Sequence, residues 1–180
     1  QAYLFAIAKQ LGLKTHCYTS PHLCRFNERI RIANNLIDDE ALLKVLDEVE
    51  KLNQNKPITF YEITTVAAFM AFARIPADLL ILETGLGGRL DSTNVIENPL
   101  ASIITPIARD HEHFLGSKLT QIAGEKAGII KKNVPVISAF QTKEVRETLN
   151  DKAREMDAPI FFEGTDFIWE QISTCLLYTS

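Results

Sequence analysis

A short apolar run that ends in a carboxylate and a glycine-rich turn is the strongest constraint on the fold of this chain. Residues 79–82 read Leu-Leu-Ile-Leu, and Glu83 follows directly. Such continuous apolar runs are typical of strands buried on both faces of a parallel sheet. Ligands bind beyond the carboxyl ends of such strands, so Glu83 is predicted to lie at a functional edge. The nine residues that begin at Glu83 also contain three glycines, Arg89 and Asp91, which favours a ligand-binding turn over a merely solvated one.

Helical and strand patterns alternate along the rest of the chain. Apolar residues at helical spacing predict helices, and short apolar runs between polar turns predict strands. The predicted helices cover residues 1–12, 39–53, 62–74, 118–131 and 143–156, and the predicted strands cover 15–19, 79–82, 102–105, 134–138 and 159–162. This order predicts an α/β fold with a mostly parallel sheet and helices on both faces. A chain of 180 residues with 46% hydrophobic content can bury one substantial core, so one domain is expected.

Three motifs in the chain resemble those of one enzyme family. Residues 83–94 read E-T-G-L-G-G-R-L-D-S-T-N and resemble the E-x-G-L-G-G-R-x-D-x-T-N signature of the folylpolyglutamate synthase/dihydrofolate synthase family, a branch of the Mur-ligase superfamily. Residues 18–30, with Y-T-S-P-H-L and R-F-N-E-R-I, look like a second signature. D-H-E-H-F-L-G at 110–116, followed by G-E-K-A-G-I at 124–129, looks like a third. Together they cover about residues 2–169 and are more specific than any one alone.

The resemblance implies a P-loop NTPase-like Mur-ligase central domain over residues 1–171. No G-x-x-x-x-G-K-[ST] phosphate-binding motif occurs in residues 1–180. The resemblance places that loop upstream of Gln1, so we expect this segment alone to be inactive. Residues 172–180 look like a non-native C-terminal scar, with a short apolar strand as the alternative.

Magnesium is the metal that the resemblance implies. Mg²⁺ prefers oxygen ligands and keeps several waters, a chemistry that suits Glu83. By resemblance, Ser20 would contribute its hydroxyl and His111 an imidazole nitrogen. The residues alone allow other interpretations, because Ser20 precedes a proline in a predicted turn and His111 lies at a helix entrance.

Lys126 is the second catalytic candidate. In the resembled family, the lysine of G-E-K-A-G is carbamylated by carbon dioxide and helps to organise the magnesium site. Only a neutral amine reacts with carbon dioxide, so the site would have to lower the pKa of this lysine. A solvated helix lysine is the alternative. Gly124 and Gly128, four residues apart, suggest that the helix packs closely against something.

The substrate site is expected to combine two segments. Thr59 and Glu62 form a T-x-x-E capping box, which would start the helix that ends at Arg74 and explains both residues without a ligand. The resemblance adds contacts with a folate-type substrate at Thr59, Phe60, Tyr61, Glu62, Leu90, Asp91 and Ser92. The family often has alanine where Ser92 stands. Residues 22–31 are predicted either to form a flexible substrate-binding loop or to be a plain surface loop.

The reaction implied by the resemblance is ATP-dependent addition of L-glutamate to a carboxylate of dihydropteroate or a reduced folate. ATP would phosphorylate the carboxylate, and the amine of glutamate would attack the acyl phosphate. The sequence leaves open which of these substrates is preferred. Another Mur-superfamily amino-acid ligase and a non-catalytic nucleotide-binding module are the alternatives.

Charge and cysteine content exclude several other classes. The net charge is −4, and no dense basic cluster points to a nucleic acid partner. The longest continuous apolar run, residues 66–73, is far too short to span a bilayer. Cys17, Cys24 and Cys175 are odd in number and contain no C-x-x-C pair, so reduced thiols are expected. We therefore expect a cytoplasmic monomer with small-molecule substrates.

Overall fold

The computed structural model describes residues 1–169, and these residues fall into two compact units. The first unit is Gln1–Val95 and the second begins at Ile96. The predicted scar at 172–180 and Cys175 lie outside the described residues. That residues 1–171 act as one domain stays a prediction.

Unit 1 has a four-stranded sheet with three α-helices. Its elements are α1 (Ala2–Gln10), β1 (Thr15–Tyr18), a 3-10 helix (Phe26–Arg29), β2 (Ile30–Ile32), β3 (Asn35–Leu36), α2 (Asp39–Asn53), α3 (Phe60–Arg74) and β4 (Leu79–Leu82). The strand order is β3-β2-β1-β4. β1 and β4 are parallel, with Thr15 opposite Leu79 and Tyr18 opposite Leu82, so both strands end at the same edge.

The central strand of unit 1 is buried on both faces. Tyr18 packs into a cluster with residues of α2 and α3, including Val45 and Ala67. Cys17 points to the opposite face, as alternate strand residues do, and is also buried. Because α1 contacts β1 and β4, helices accompany both faces of this strand. Burial raises the pKa of the Cys17 thiol to about 11, so this cysteine stays protonated.

Local signals place the helix boundaries of unit 1. The Asp38 side chain accepts a hydrogen bond from the Ala41 amide and starts α2. The capping box predicted for Thr59 and Glu62 is present and starts α3 at Phe60. Gly12 follows Leu11, the C-cap of α1, with φ +76°, a conformation that suits glycine.

Unit 2 has a parallel three-stranded sheet. Its elements are β5 (Ser102–Ile104), α4 (Glu112–Leu115), α5 (Leu119–Ala127), β6 (Val136–Ser138), α6 (Lys143–Glu155) and β7 (Ile160–Phe162). The strand order is β5-β6-β7, with both pairs parallel. Ile122 of α5 and Leu149 of α6 are buried with Val136 and Phe162 in one core.

The predicted α/β class with mostly parallel strands is confirmed, with one addition. β2 and β3 form an antiparallel hairpin, and β2 pairs with β1 on the side opposite β4. The sequence patterns do not predict this hairpin. Its two-residue turn is Ala33–Asn34, with positive φ at both residues. Among residues 1–169, no helix combines the length and apolar character needed to cross a membrane.

Candidate functional site

Ser20 and Glu83 meet at the carboxyl edge of the unit 1 sheet. Glu83 directly follows β4, and its amide donates to the carbonyl of Tyr18 at 3.0 Å. The Ser20 amide donates to the Glu83 carboxylate oxygen Oε2 at 3.0 Å. Both residues are half-buried. Because β1 and β4 are parallel neighbours, their ends bring together two residues that are 63 positions apart.

The chemistry of this pair suits a magnesium ion. It offers a carboxylate and a hydroxyl, which are hard oxygen donors. In residues 1–169, no three His, Cys, Asp or Glu side chains group together as a metal cluster. A magnesium ion needs only one or two carboxylates when substrate phosphates and waters complete its coordination.

Asp91 organises the glycine-rich turn that follows Glu83. Its Oδ2 accepts hydrogen bonds from the amides of Gly85, at 3.0 Å, and Leu86, at 2.9 Å. Its Oδ1 accepts from the Thr93 amide at 2.9 Å. Gly87 has φ +67°, which a side chain would strain. The carboxylate predicted to contact substrate therefore also holds the loop in shape.

Tyr61 packs directly on Gly85. A Cβ atom at Gly85 would lie 2.3 Å from the Tyr61 ring, so only glycine fits there. The Tyr61 hydroxyl donates to the carbonyl of Glu83 at 3.3 Å. Burial, and then the nearby charge of Asp91, raise the pKa of this hydroxyl above its usual range. Tyr61 is therefore a neutral hydrogen-bonding group that fixes the backbone at Glu83.

Of the other predicted substrate residues, Leu90 and Ser92 lie in this turn and Phe60 begins α3. Ser92 donates through its hydroxyl to Thr65 Oγ1 at 3.0 Å, and Thr65 in turn contacts the buried hydroxyl of Tyr18 at 3.1 Å. Phe60 is 64% exposed and Leu90 is 79% exposed, so both present apolar surface to solvent. Serine in place of the alanine common in the resembled family thus adds a hydrogen bond to α3.

Thr59 and Glu62 are engaged with each other. The Glu62 carboxylate accepts from the Thr59 amide at 2.8 Å, and this bond lowers the pKa of the carboxyl. Their capping role is shown, whereas a contact with substrate stays a prediction.

The segment predicted as a flexible loop, residues 22–31, is partly regular. It contains the 3-10 helix and the start of β2. The Glu28 carboxylate accepts from the amides of Leu23, Cys24 and Arg25 at 2.8, 3.1 and 2.9 Å. These bonds lower the pKa of Glu28. Phe26 of this segment also contacts Phe60, with ring centroids 5.8 Å apart.

His111 lies in unit 2, where the loop after β5 enters α4. Its side chain is 54% exposed and its φ is +51°, in the left-handed region. The His111 amide donates to the Asp110 carboxylate at 2.7 Å. The ring nitrogen Nε2 lies 3.7 Å from Asp110 Oδ2. An exposed imidazole beside a carboxylate can bind a metal ion, but its role as a ligand stays a prediction.

Lys126 lies in the last turn of α5 and is half-buried. The helix itself is confirmed, with Lys118 as its N-cap. The expected close packing at Gly124 is not found within residues 1–169, because a Cβ there would meet no atom within 4 Å. Gly124 is an exposed helix position, so the glycine spacing does not indicate a close contact with the described residues.

The predicted site residues are therefore divided between the two units. The structure brings Ser20, Glu83, Tyr61 and Asp91 together in unit 1, whereas His111 and Lys126 belong to unit 2. Thr65 and Gln141 were not predicted from the sequence, yet they hydrogen-bond to segments that carry candidate residues, at Ser92 and at Ile107. No local pattern marks either residue, because their partners are distant in sequence.

Known proteins resemble this chain over most of its length. No profile of a known protein family matches it. It is 39% identical over 160 residues to a dihydrofolate synthase/folylpolyglutamate synthase of Haemophilus influenzae, which covers 89% of this chain and 36% of that protein. It is also 39% identical over 165 residues to the protein of the same name from Bacillus subtilis, covering 88% of this chain and 38% of that protein.

Solved structures resemble the fold as well. Escherichia coli FolC in complex with ADP matches with a TM-score of 0.86 and 33% identity, over 93% of this chain and 40% of that one. A bifunctional folylpolyglutamate synthase/dihydrofolate synthase with Mn, AMPPNP and L-glutamate bound matches with a TM-score of 0.84 and 32% identity, over 93% and 41%.

These matches cover only part of each relative. The chain spans 36% and 38% of the lengths of the two relatives named above. Sequence and fold agree over that span, including both units. The resemblance is therefore confirmed: the chain is homologous to a segment of the folylpolyglutamate synthase/dihydrofolate synthase family and has the Mur-ligase fold of its solved members.

Proposed function

We propose that the complete protein carrying this segment is an ATP-dependent ligase that adds L-glutamate to a folate-type carboxylate. One observation carries the proposal: the Glu83 carboxylate is held beside Ser20 at the carboxyl edge of the sheet, within a chain homologous to such ligases. Relatives have been solved with ADP and DHPP, and with AMPPNP and L-glutamate. These ligands match the proposed nucleotide, folate-type and amino-acid substrates.

Ser20, Glu83 and His111 would hold magnesium in this proposal. The ion would neutralise charge on the phosphoryl oxygens of ATP during transfer to the substrate carboxylate. The protein's own contribution is to fix the direction of the Glu83 carboxylate, which accepts from the Ser20 amide while the backbone of Glu83 bonds to Tyr18 and Tyr61. Such fixed ligands lose little freedom when the substrate binds.

The substrate would bind against the Asp91 turn and the start of α3. Phe60 and Leu90 offer exposed apolar surface for a flat ring, and the Asp91 turn is already ordered by its internal hydrogen bonds. The remaining residues proposed to contact this substrate are Thr59, Tyr61, Glu62 and Ser92.

Lys126 is proposed to act as a carbamate. The ammonium group would first lose a proton, and the neutral Nζ would then add to the carbon of carbon dioxide and lose a second proton. A cation would thereby become an anion that helps to organise the magnesium site. The support is the G-E-K-A-G match together with the half-buried position at the end of α5.

The proposal also includes a monomer working in the cytoplasm. Its support is the free state of Cys17 and Cys24 and the acidic net charge. Size-exclusion chromatography of the complete protein, with light scattering, tests the monomer.

The decisive experiment supplies purified complete protein with ATP, L-glutamate and Mg²⁺, and offers dihydropteroate, tetrahydrofolate or a UDP-muramyl acceptor. Phosphate release and the mass of the product are followed together. We expect a mass gain of one glutamyl residue on a pteridine substrate, with one phosphate released per bond. Activity on the muramyl acceptor alone would contradict the proposal, as would ATP binding without any product.

A further inference from the structure

Gln141 is a buried amide that joins the ends of two parallel strands in unit 2. It lies three residues beyond β6, just before α6, and is 4% exposed. Its Oε1 accepts from the Ile107 amide at 3.0 Å. Its Nε2 donates to the Thr105 carbonyl at 2.9 Å and to Ser138 Oγ at 3.2 Å. Both ends of the amide are therefore satisfied.

The hydrogen-bond partners of Gln141 require an amide side chain at this position. One side must accept a hydrogen bond from Ile107 and the other must donate to Thr105, and an uncharged side chain with both groups is needed. A carboxylate in this place would accept from Ile107 but face the Thr105 carbonyl without a proton. A leucine would leave the amide of the buried Ile107 and the carbonyl of Thr105 without these hydrogen bonds, which is costly for the buried amide.

The stretch that Gln141 holds leads directly to His111. Thr105 and Ile107 lie on the chain leaving β5, and His111 follows four residues after Ile107. The chain returns to the core at Leu115, whose amide donates to the His111 carbonyl at 3.0 Å. His111 therefore lies on a stretch of chain that is fixed on one side at Ile107 and on the other at Leu115.

The backbone of His111 needs this support. Its φ of +51° is a left-handed conformation, which is sterically unfavourable for a residue with a side chain. Such conformations persist when the surrounding contacts determine them. The imidazole itself is exposed, so packing around the ring cannot fix its position. The buried contacts at the start of the loop, at Ile107, are the part of unit 2 that can fix the position of the ring.

We propose that Gln141 is a positioning residue that sets the place of the His111 imidazole through the backbone at Thr105 and Ile107. The inference rests on the proposed function, because it assumes that His111 is a metal ligand. Gln141 does not touch the metal or the substrate. Its loss should weaken the metal contact while leaving the other ligands in place.

The test uses the complete protein with Gln141→Leu and Gln141→Glu, and with His111→Ala as the reference. Gln10→Leu is the matched control, because Gln10 is an exposed glutamine at the end of α1 in unit 1. Mn²⁺ binding is measured by the spin resonance of the free ion, and the turnover number is measured as a function of Mn²⁺ concentration. Circular dichroism reports the folded fraction.

We expect both Gln141 variants to need about tenfold more Mn²⁺ for half-maximal turnover, with kcat at saturating Mn²⁺ within about twofold of the original. The Gln10 variant should be unchanged. Unaltered Mn²⁺ dependence in the Gln141 variants, alongside a shift in His111→Ala, would overturn the inference and leave the proposed function intact. Loss of folded protein in both variants would also overturn it, because the role would then be structural. An unchanged Mn²⁺ dependence in His111→Ala would instead refute the proposed metal site.

Discussion

Two loops at strand ends carry the predicted site, and they are held in different ways. Residues 83–94 of unit 1 are ordered from within, because the Asp91 carboxylate accepts three amides of its own loop and Tyr61 packs on Gly85. Residues 105–116 of unit 2 are held at their ends, where Gln141 and Leu115 anchor a stretch that exposes His111.

The unit 1 loop is held in shape by its own residues and by Tyr61, whereas the unit 2 loop depends on contacts at its two ends. In the first, the Asp91 carboxylate shapes the loop and is also a proposed substrate contact, so substitution of Asp91 should change shape and chemistry together. In the second, the chemical group and the residue that positions it can be changed separately. The following predictions test that contrast.

The largest effect is expected for Glu83→Gln in the complete protein. The amide oxygen of glutamine can still accept from the Ser20 amide, so the loop should keep its shape, but the charge offered to magnesium is lost. Turnover should fall by at least about a hundredfold with an unchanged melting temperature. Phosphate release at saturating Mg²⁺ and a thermal melt measure the two effects.

Glu50→Gln is the control, because Glu50 is an exposed carboxylate on α2. Its turnover should match that of the original protein. If Glu83→Gln turned over normally at saturating Mg²⁺, the unit 1 loop would not be the metal-binding loop.

Lys126→Ala should have the next largest effect. Removal of the amine removes the proposed carbamate, so turnover should fall about ten- to a hundredfold. Short carboxylates such as acetate should partly restore it by supplying the missing anion. The measurement is turnover with and without added carboxylate, and with Lys132→Ala as an exposed control. A high-resolution structure of the active protein with unmodified Lys126 would refute the carbamate.

A matched pair of glycine substitutions compares the two units directly. Gly85→Ala would place a Cβ against the Tyr61 ring and should destabilise this chain by about 1–3 kcal/mol. Gly124→Ala adds a methyl group to an exposed position of α5 with open space around it, and should stabilise the chain by about 0.5–1 kcal/mol. Urea unfolding measures both. Destabilisation by Gly124→Ala would show that something does pack on that face of α5.

The smallest effect concerns pH and the 3-10 segment of unit 1. Hydrogen bonds from Leu23, Arg25 and Cys24 lower the pKa of Glu28, so its contribution to order is complete above the ordinary carboxyl pKa of about 4.3. That contribution should be lost as pH falls through the lowered value.

Amide exchange at Leu23 and Arg25, corrected for the intrinsic rate at each pH, should show protection that declines below pH about 4. In Glu28→Gln, the protection should be weaker and independent of pH in this range. Equal pH dependence in both proteins would mean that Glu28 does not order the segment.

Sequence predicted the parts of this molecule that local chemistry decides. The start of α3 follows from the pair Thr59 and Glu62, which act within one turn of their own helix. The glycine-rich turn also forms locally, because its glycines and Asp91 lie within a few residues of one another. Motif resemblance added the rest of the candidate residues.

Structure was needed where the deciding partner is distant or the local signal is atypical. The hairpin of β2 and β3 turns at Ala33–Asn34 with positive φ at both positions, whereas such turns usually contain asparagine followed by glycine. Gln141 acts on Thr105, 36 residues earlier in the chain. At Gly124, by contrast, the glycine spacing suggests packing, but no described residue lies within 4 Å of a Cβ built there.

The contact of Tyr61 with Gly85 has a consequence for protein engineering. The ring occupies the volume that any larger residue at position 85 would need, so the two positions are sterically one unit. A library that varies position 85 alone should return only glycine among its active members. A library that varies both positions together should return larger residues at 85 only beside a small side chain at 61, which would give up the hydroxyl bond to the carbonyl of Glu83. Redesign of substrate preference should therefore treat these two positions as a single choice.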